Sequence, residues 1–353
     1  MEMNVNGFIN SSANAKYKMG KNCEKDDLPQ KAASLYWLAM MEGNAKAKEV
    51  FSFDMDNKKK ADASFSRFEV IRHAAEIGCP EAQFSIGARY RTGVGVAKSY
   101  DLAFKWFSLS AEQGNLDAIY YLGKMYDKGR AVEQDEKIAM TKIRYAAERG
   151  HAVAQHDMGK RCEQGILVKK DPSMALQWYL RSADGGYRMS TYRVGEMYLS
   201  GIGTKKDPST AVKWLYKAMD EGYIIAAYTI ARMYEVGNGV CKDIRYAVKM
   251  YERAANRGYF CASFRLGEMY EKGLGVEKES KRALSWYKKS GNQRYYPAQM
   301  KLFSIFDTGQ LGEKDKIQAT YWFKKMMAEN MLFLRKDVGD VEAFIAEHDL
   351  FEN

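Results

Sequence analysis

The chain has 353 residues, 46% hydrophobic and 28% charged, with only five prolines and a formal net charge of +10. That composition is globular and suits either one large solenoid or two ordinary domains. It excludes a membrane span, since no stretch approaches the roughly 18 apolar residues one needs, and the 55 basic residues are interspersed with 45 acidic ones, as on a solvated lysine-rich surface.

Residues 1–14 carry Glu2 and several Asn and Ser residues but no apolar segment, so a flexible terminus is expected, without signal peptide or anchor. Residues 15–81 read as divergent helical units. One runs from Ala15 to Asn44 and ends in Tyr36-Trp37 and Glu42-Gly43; the other runs from Ala45 to Glu81 and holds a basic loop, Lys58-Lys59-Lys60. From residue 82 to 325 the register is unbroken. Gly93, Gly129, Gly165, Gly201, Gly237, Gly273 and Gly309 stand 36 residues apart, as do Ala82, Ala118, Ala154, Ser190, Ala226, Ala262 and Ala298, and the row Ala103 to Ala319. Such spacing is the signature of a repeat array.

Within a unit, Ala82, Ile86, Gly87 and Tyr90 fall on one helical face, and the small residues admit a close neighbour. Gly93-Val-Gly95 then ends the helix. A second helix is predicted from near Asp101, with Ala103, Trp106, Phe107 and Ala111 on one face and Gly114 as its stop. Its start is clearest at Asp171-Pro172 and Asp207-Pro208, where an N-cap carboxylate precedes a first-turn proline. An all-α protein is expected. The last residues, 326–353, read as capping helices, with Val341, Phe344, Ile345 and Leu350 on the sealing face and a detachable docking helix as the alternative. Cys23, Cys79, Cys162, Cys241 and Cys261 occupy no matching places and form no Cys-x-x-Cys, so they read as reduced, mostly buried thiols.

The run Ala262-Ser-Phe-Arg-Leu-Gly-Glu-Met-Tyr-Glu-Lys-Gly-Leu-Gly-Val276, with Ala283, Trp286-Tyr287 and, one unit earlier, Ala254-Ala255-Asn-Arg-Gly258, resembles the Sel1-like repeat (SLR), a longer-looped relative of the tetratricopeptide repeat (TPR). The resemblance implies a right-handed superhelical α-solenoid of about eight to nine two-helix repeats with a C-terminal cap. Departures are Ala131 for the second turn glycine, Lys142 and Met250 where Trp is usual, Cys162 for Tyr, and Phe303 for Gly in the last unit.

Chemistry has little foothold. Gly93-Val-Gly-Val-Ala-Lys98-Ser99 lacks the glycine before its lysine that a phosphate-binding loop needs and follows a helix, so it is repeat punctuation. His151 and His156 are five apart, wrong for a zinc pair. No catalytic residues, metal or cofactor are assigned.

By the same resemblance, the first helices of successive units line a concave groove. Two rows border it. One is aromatic, Phe84, Tyr120, His156, Tyr192, Tyr228 and Phe264, ending at Met300; the other changes sign, Lys124, Lys160, Glu196, Arg232 and Glu268, with Tyr121 and Arg193 at the rim. Rings as anchors and charges as register selectors suit a protein or peptide ligand, while rings recurring in every unit also suit packing that sets curvature. The expected function is a non-enzymatic, monomeric, cytoplasmic scaffold or adaptor without a small-molecule substrate. The alternatives are an immunity-type protein or a translocated effector exported by a specialised secretion system. An RNA binder using Lys169-Lys170 and Lys205-Lys206 is disfavoured by Glu196 and Glu268 in the row.

Overall fold

The structure is a computed structural model that describes residues 13–25, 35, 39, 46, 67–76, 78–312, 314–338 and 341–348. Tyr36-Trp37, Glu42-Gly43, Lys58-Lys59-Lys60 and Leu350 lie outside the described residues. Every regular element among those described is a helix. The chain divides into two compact units, Met1–Lys170 and Asp171–Asn353.

The first unit holds α1 (Ala13–Lys25), α2 (Arg67–Glu76), α3 (Pro80–Thr92), α4 (Tyr100–Glu112), α5 (Leu116–Lys128), α6 (Glu136–Glu148) and α7 (Ala152–Gln164). The second holds α8 (Pro172–Asp184), α9 (Arg188–Ser200), α10 (Pro208–Asp220), α11 (Ile224–Val236), α12 (Ile244–Asn256), α13 (Phe260–Lys272), α14 (Ser280–Gly291), α15 (Tyr296–Thr308), α16 (Lys316–Val338) and α17 (Val341–Glu347). In each unit consecutive helices pack as pairs, first helix against second.

Local chemistry sets these boundaries. The first helices end on left-handed residues such as Gly93 (φ 79°), whose N–H donates to the Arg89 carbonyl at 2.7 Å. The second helices start on capping side chains: Asp171 accepts from the Met174 N–H at 2.9 Å and Asp207 from the Thr210 N–H at 3.0 Å, each followed by proline. Ala131, which departs from glycine, still adopts φ 63°, and Leu167 does the same at φ 58°.

Packing explains the fixed rows. Ala82, Ala118, Ala154, Ala226, Ala262 and Ala298 are fully buried, as is Ser190. A Cβ on Gly87 would stand 2.7 Å from the Phe107 ring, and one on Gly267 would stand 2.6 Å from the Tyr287 ring, so the second helix's large side chain lies against bare backbone of the first. Where Phe303 replaces that glycine, its ring meets Phe323 at 5.8 Å and Phe344 of α17 at 5.6 Å. Val341 and Ile345 pack on the same cluster, so the predicted sealing face does cover the last pair.

The second turn glycines of the second unit are constrained by their neighbours. A Cβ on Gly203 would lie 2.2 Å from the Pro172 carbonyl oxygen, whereas one on Gly186, also left-handed, would meet nothing within 4 Å. Gly203→Ala should therefore cost about 3 kcal/mol and Gly186→Ala about 1 kcal/mol in urea denaturation, the difference being the collision rather than the backbone angle.

The cysteines are less uniformly buried than expected. Cys79 and Cys162 are buried, Cys261 is half-buried, and Cys241 is exposed because its turn faces solvent. Burial pushes the Cys79 thiol up to about 12, with the Glu81 carboxylate it contacts adding to the rise. Iodoacetamide under native conditions should modify Cys241 well before Cys79 or Cys162, as read by mass spectrometry of tryptic peptides.

Candidate functional site

The aromatic row is built into the seams between repeats. In the first unit, Phe84 lies 5.6 Å from Phe107 and 5.7 Å from Tyr121, centroid to centroid. Tyr120 is buried, stands 5.0 Å from the His151 ring, and donates from its hydroxyl to Asp157 at 3.0 Å. In the second unit, Tyr192 meets Tyr223 at 4.7 Å and shares a 3.1 Å hydrogen bond with Thr229. Tyr228 meets Tyr251 at 5.5 Å and Tyr259 at 5.1 Å, and Phe264 meets Tyr287 at 5.4 Å and Tyr295 at 5.6 Å. Burial pushes the Tyr192 and Tyr228 phenols above their ordinary range, so they stay neutral donors. His156 is half-buried.

Sequence reasoning missed the partners of these rings. Tyr223, Tyr259 and Tyr295 occupy the N-cap position of first helices, where Asn115 and His151 cap with their side chains and the tyrosines do not. The signal was present: Gly222-Tyr223 and Gly258-Tyr259 recur one period apart.

The charged row is partly committed in the same way. Lys124 reaches Asp157 at 3.0 Å and Asp127 at 3.8 Å. Glu196 pairs with Arg193 at 3.0 Å, and Glu268 with Arg265 at 2.7 Å. Lys160 and Arg232 are exposed. Behind the row sits a set of carboxylates that spacing alone did not reveal. Asp127 receives Arg161 at 2.8 Å; Glu235 receives Arg265 of the next repeat and the Tyr251 hydroxyl at 2.6 Å; Glu271 receives Lys301 at 2.9 Å and the Tyr287 hydroxyl at 2.5 Å. Burial alone would raise all three carboxyl groups, but these cations and hydrogen bonds outweigh it and hold each below its ordinary value. His151 accepts the Ala154 N–H through Nδ1 and meets Asp117 at 3.0 Å through Nε2, so it acts as a helix cap. Among the described residues, no group of three potential ligands converges as a metal site.

A repeating pair of helices with a left-handed glycine turn, small residues at the crossing and a 36-residue period defines the relationship. The Sel1 repeat family model matches residues 80–115, 116–151, 152–187, 189–223, 224–259, 262–295 and 297–328. The chain belongs to the Sel1 repeat family. Such repeats generally mediate protein–protein interaction and serve as non-enzymatic scaffolds. Among solved structures, c5321, described as a protective antigen of uropathogenic Escherichia coli strains with an SLR fold, is 26% identical. That match has a TM-score of 0.63 and covers 93% of this chain and 72% of that one. A Sel1 repeat protein from Oxalobacter formigenes is 29% identical with a TM-score of 0.61, covering 71% of this chain and 100% of that one. The immunity protein Pa5087 of Pseudomonas aeruginosa is 20% identical with a TM-score of 0.36, covering 68% of this chain and 80% of that one. No curated protein matches significantly. Among the described residues no helix is long and apolar enough to cross a membrane.

The Asp127 network gives a pH prediction. A carboxyl whose folded pKa lies below its unfolded value, about 3.9, stabilises the fold above that value and loses this contribution as pH falls through the folded pKa. Thermal melts from about pH 6 to about pH 3 should show Asp127→Asn less stable by about 1–2 kcal/mol at the upper end, with the gap beginning to narrow only below about pH 3.9.

Proposed function

We propose that the chain is a non-enzymatic scaffold that captures a segment of a partner protein on the first helices of its repeats. The observation that supports this reading is the division of labour on one helix face. Ala118, Ala154, Ala226 and Ala262 are fully buried and uniform, whereas the position six residues on from each is Lys124, Lys160, Arg232 or Glu268 and is never fully buried. Lys124 and Glu268 answer to ion-pair partners inside the stack, whereas Lys160 and Arg232 stand exposed above a uniform core, as a surface that reads a ligand requires. With Tyr120, Tyr192, Tyr228 and Phe264 drawn into the seams, selectivity would fall on the charges, and Lys160 and Arg232 are their most accessible members.

The test places a photo-reactive benzoylphenylalanine at Lys160 or Arg232, with the exposed second-helix positions Lys105 and Gln177 as comparators. One polypeptide should be cross-linked from the first pair of sites and not from the second. Lys160→Glu with Arg232→Glu should cut its capture about tenfold without changing the melting temperature. Adducts that are nucleic acid, or an identical mixture from all four sites, would overturn the proposal.

A further inference from the structure

The first unit contains a cavity of about 230 Å³ beside the predicted face, lined by Tyr120, Tyr121 and Lys124 together with residues the repeat pattern did not single out. Its cations come from two repeats: Arg91 from the end of α3, Lys124 and Lys128 from α5, and Arg130 from the turn that follows. Met125, 2% exposed, and Val153 supply an apolar lining.

The charge there is not balanced internally. Asp127 is held by Arg161 at 2.8 Å with Lys128 at 3.5 Å, and Asp157 is held by Lys124 and the Tyr120 hydroxyl, each at 3.0 Å. Both carboxylates are thus engaged by other cations. Among the described residues no carboxylate forms an ion pair with Arg91 or Arg130. Their guanidinium groups instead lie over tyrosine rings, Arg91 at 4.7 Å from the Tyr121 centroid and Arg130 at 5.0 Å from that of Tyr100. The Arg91 Nε is buried and has no hydrogen-bond partner, which leaves the terminal guanidinium nitrogens as the donors that an anion in the cavity would meet. Lys98, followed by Arg130 and Arg91, draws the Tyr100 phenol below its ordinary pKa, which restates the same cluster of cations as a local positive potential.

A guanidinium held over a ring without a carboxylate partner keeps N–H donors that can take a carboxylate or phosphate oxygen. A volume of about 230 Å³ admits one side chain and is too narrow for a helix. We propose that this Arg91–Arg130 pocket binds the oxyanion of an acidic side chain, carboxylate or phosphate ester, presented by the partner protein. The assignment rests on the protein-binding reading above and adds the chemistry of one anchor point.

The test uses the full chain and three fluorescein-labelled peptides of equal length: hexaglutamate, one carrying phosphoserines, and hexaglutamine. Anisotropy is read at about 50 mM and about 150 mM salt. Arg91→Gln with Arg130→Gln should weaken the glutamate or phosphoserine peptide about tenfold or more. The charge-matched pair Lys205→Gln with Lys206→Gln, on an exposed loop of the other unit, should change it less than twofold. Whichever acidic peptide binds more tightly identifies the oxyanion, and hexaglutamine should not bind. If the double pocket variant does not melt cooperatively, exposed Arg130→Gln alone carries the comparison. Equal weakening by both double variants means a diffuse basic surface and overturns the pocket, as does binding of a single-stranded oligonucleotide in preference to either acidic peptide. Absence of acidic-peptide binding while the Lys160 and Arg232 cross-links persist removes the pocket and leaves the scaffold reading standing.

Discussion

Close approach of helix backbones is the constraint on which everything else in this protein depends. At Gly87, Gly123, Gly195 and Gly267 the missing Cβ is replaced by a large side chain of the paired second helix, and fully buried alanines hold the next helix equally near. Each pair buries its apolar face against neighbours, as repeat proteins must, because two short helices alone cannot offset their own ordering entropy. A volume change of one methyl at such a crossing is felt directly. Ala231 adds one methyl at this position, and Phe303 marks the end of the regular pattern: its ring packs on Phe323 of the same pair and is covered by Phe344 of α17.

That tight spacing draws polar chemistry into the seams. The carboxylates of Asp127, Glu235 and Glu271 each sit where one repeat meets the next, and each is met by a cation from that next repeat, Arg161, Arg265 or Lys301. Partial burial would penalise an isolated carboxylate, so the pairs are needed to hold the ionised form. Tyr251 and Tyr287 add hydroxyl donors from fully buried rings, repeating one arrangement 36 residues apart. These pairs fix the register of neighbouring repeats and leave a smaller set of side chains to face a ligand.

The functional consequence is a surface read through few residues. Tyrosines that look like exposed anchors in the sequence pack against other rings, Tyr192 tilted on Tyr223 and Tyr228 edge-on to Tyr259. Lys160 and Arg232 are the members of the charged row that stay exposed, and Arg91 and Arg130 have no ion pair among the described residues. Charge selects partners and speeds encounter more than it adds affinity, which is why the proposed recognition rests on these cations.

The sequence by itself determined the fold class, the period, the helix boundaries and the family, because these rest on local chemistry: a left-handed residue at Gly93, carboxylate caps at Asp171 and Asp207, and apolar residues at helical spacing. It also named the two rows of variable residues, since these differ from the invariant core at fixed offsets. Only the tertiary structure decided which members of those rows are buried. Tyr120 and Lys160 occupy rows of the same helix face, yet Tyr120 bonds to Asp157 of the next repeat while Lys160 stands in solvent. Likewise Arg91 and Arg130, which belong to successive repeats, meet around one cavity. Periodicity reports which residues share a helix face, but exposure depends on what the neighbouring repeat places opposite, and that is a contact such as Tyr120 with Asp157, 37 residues apart, that no local rule contains.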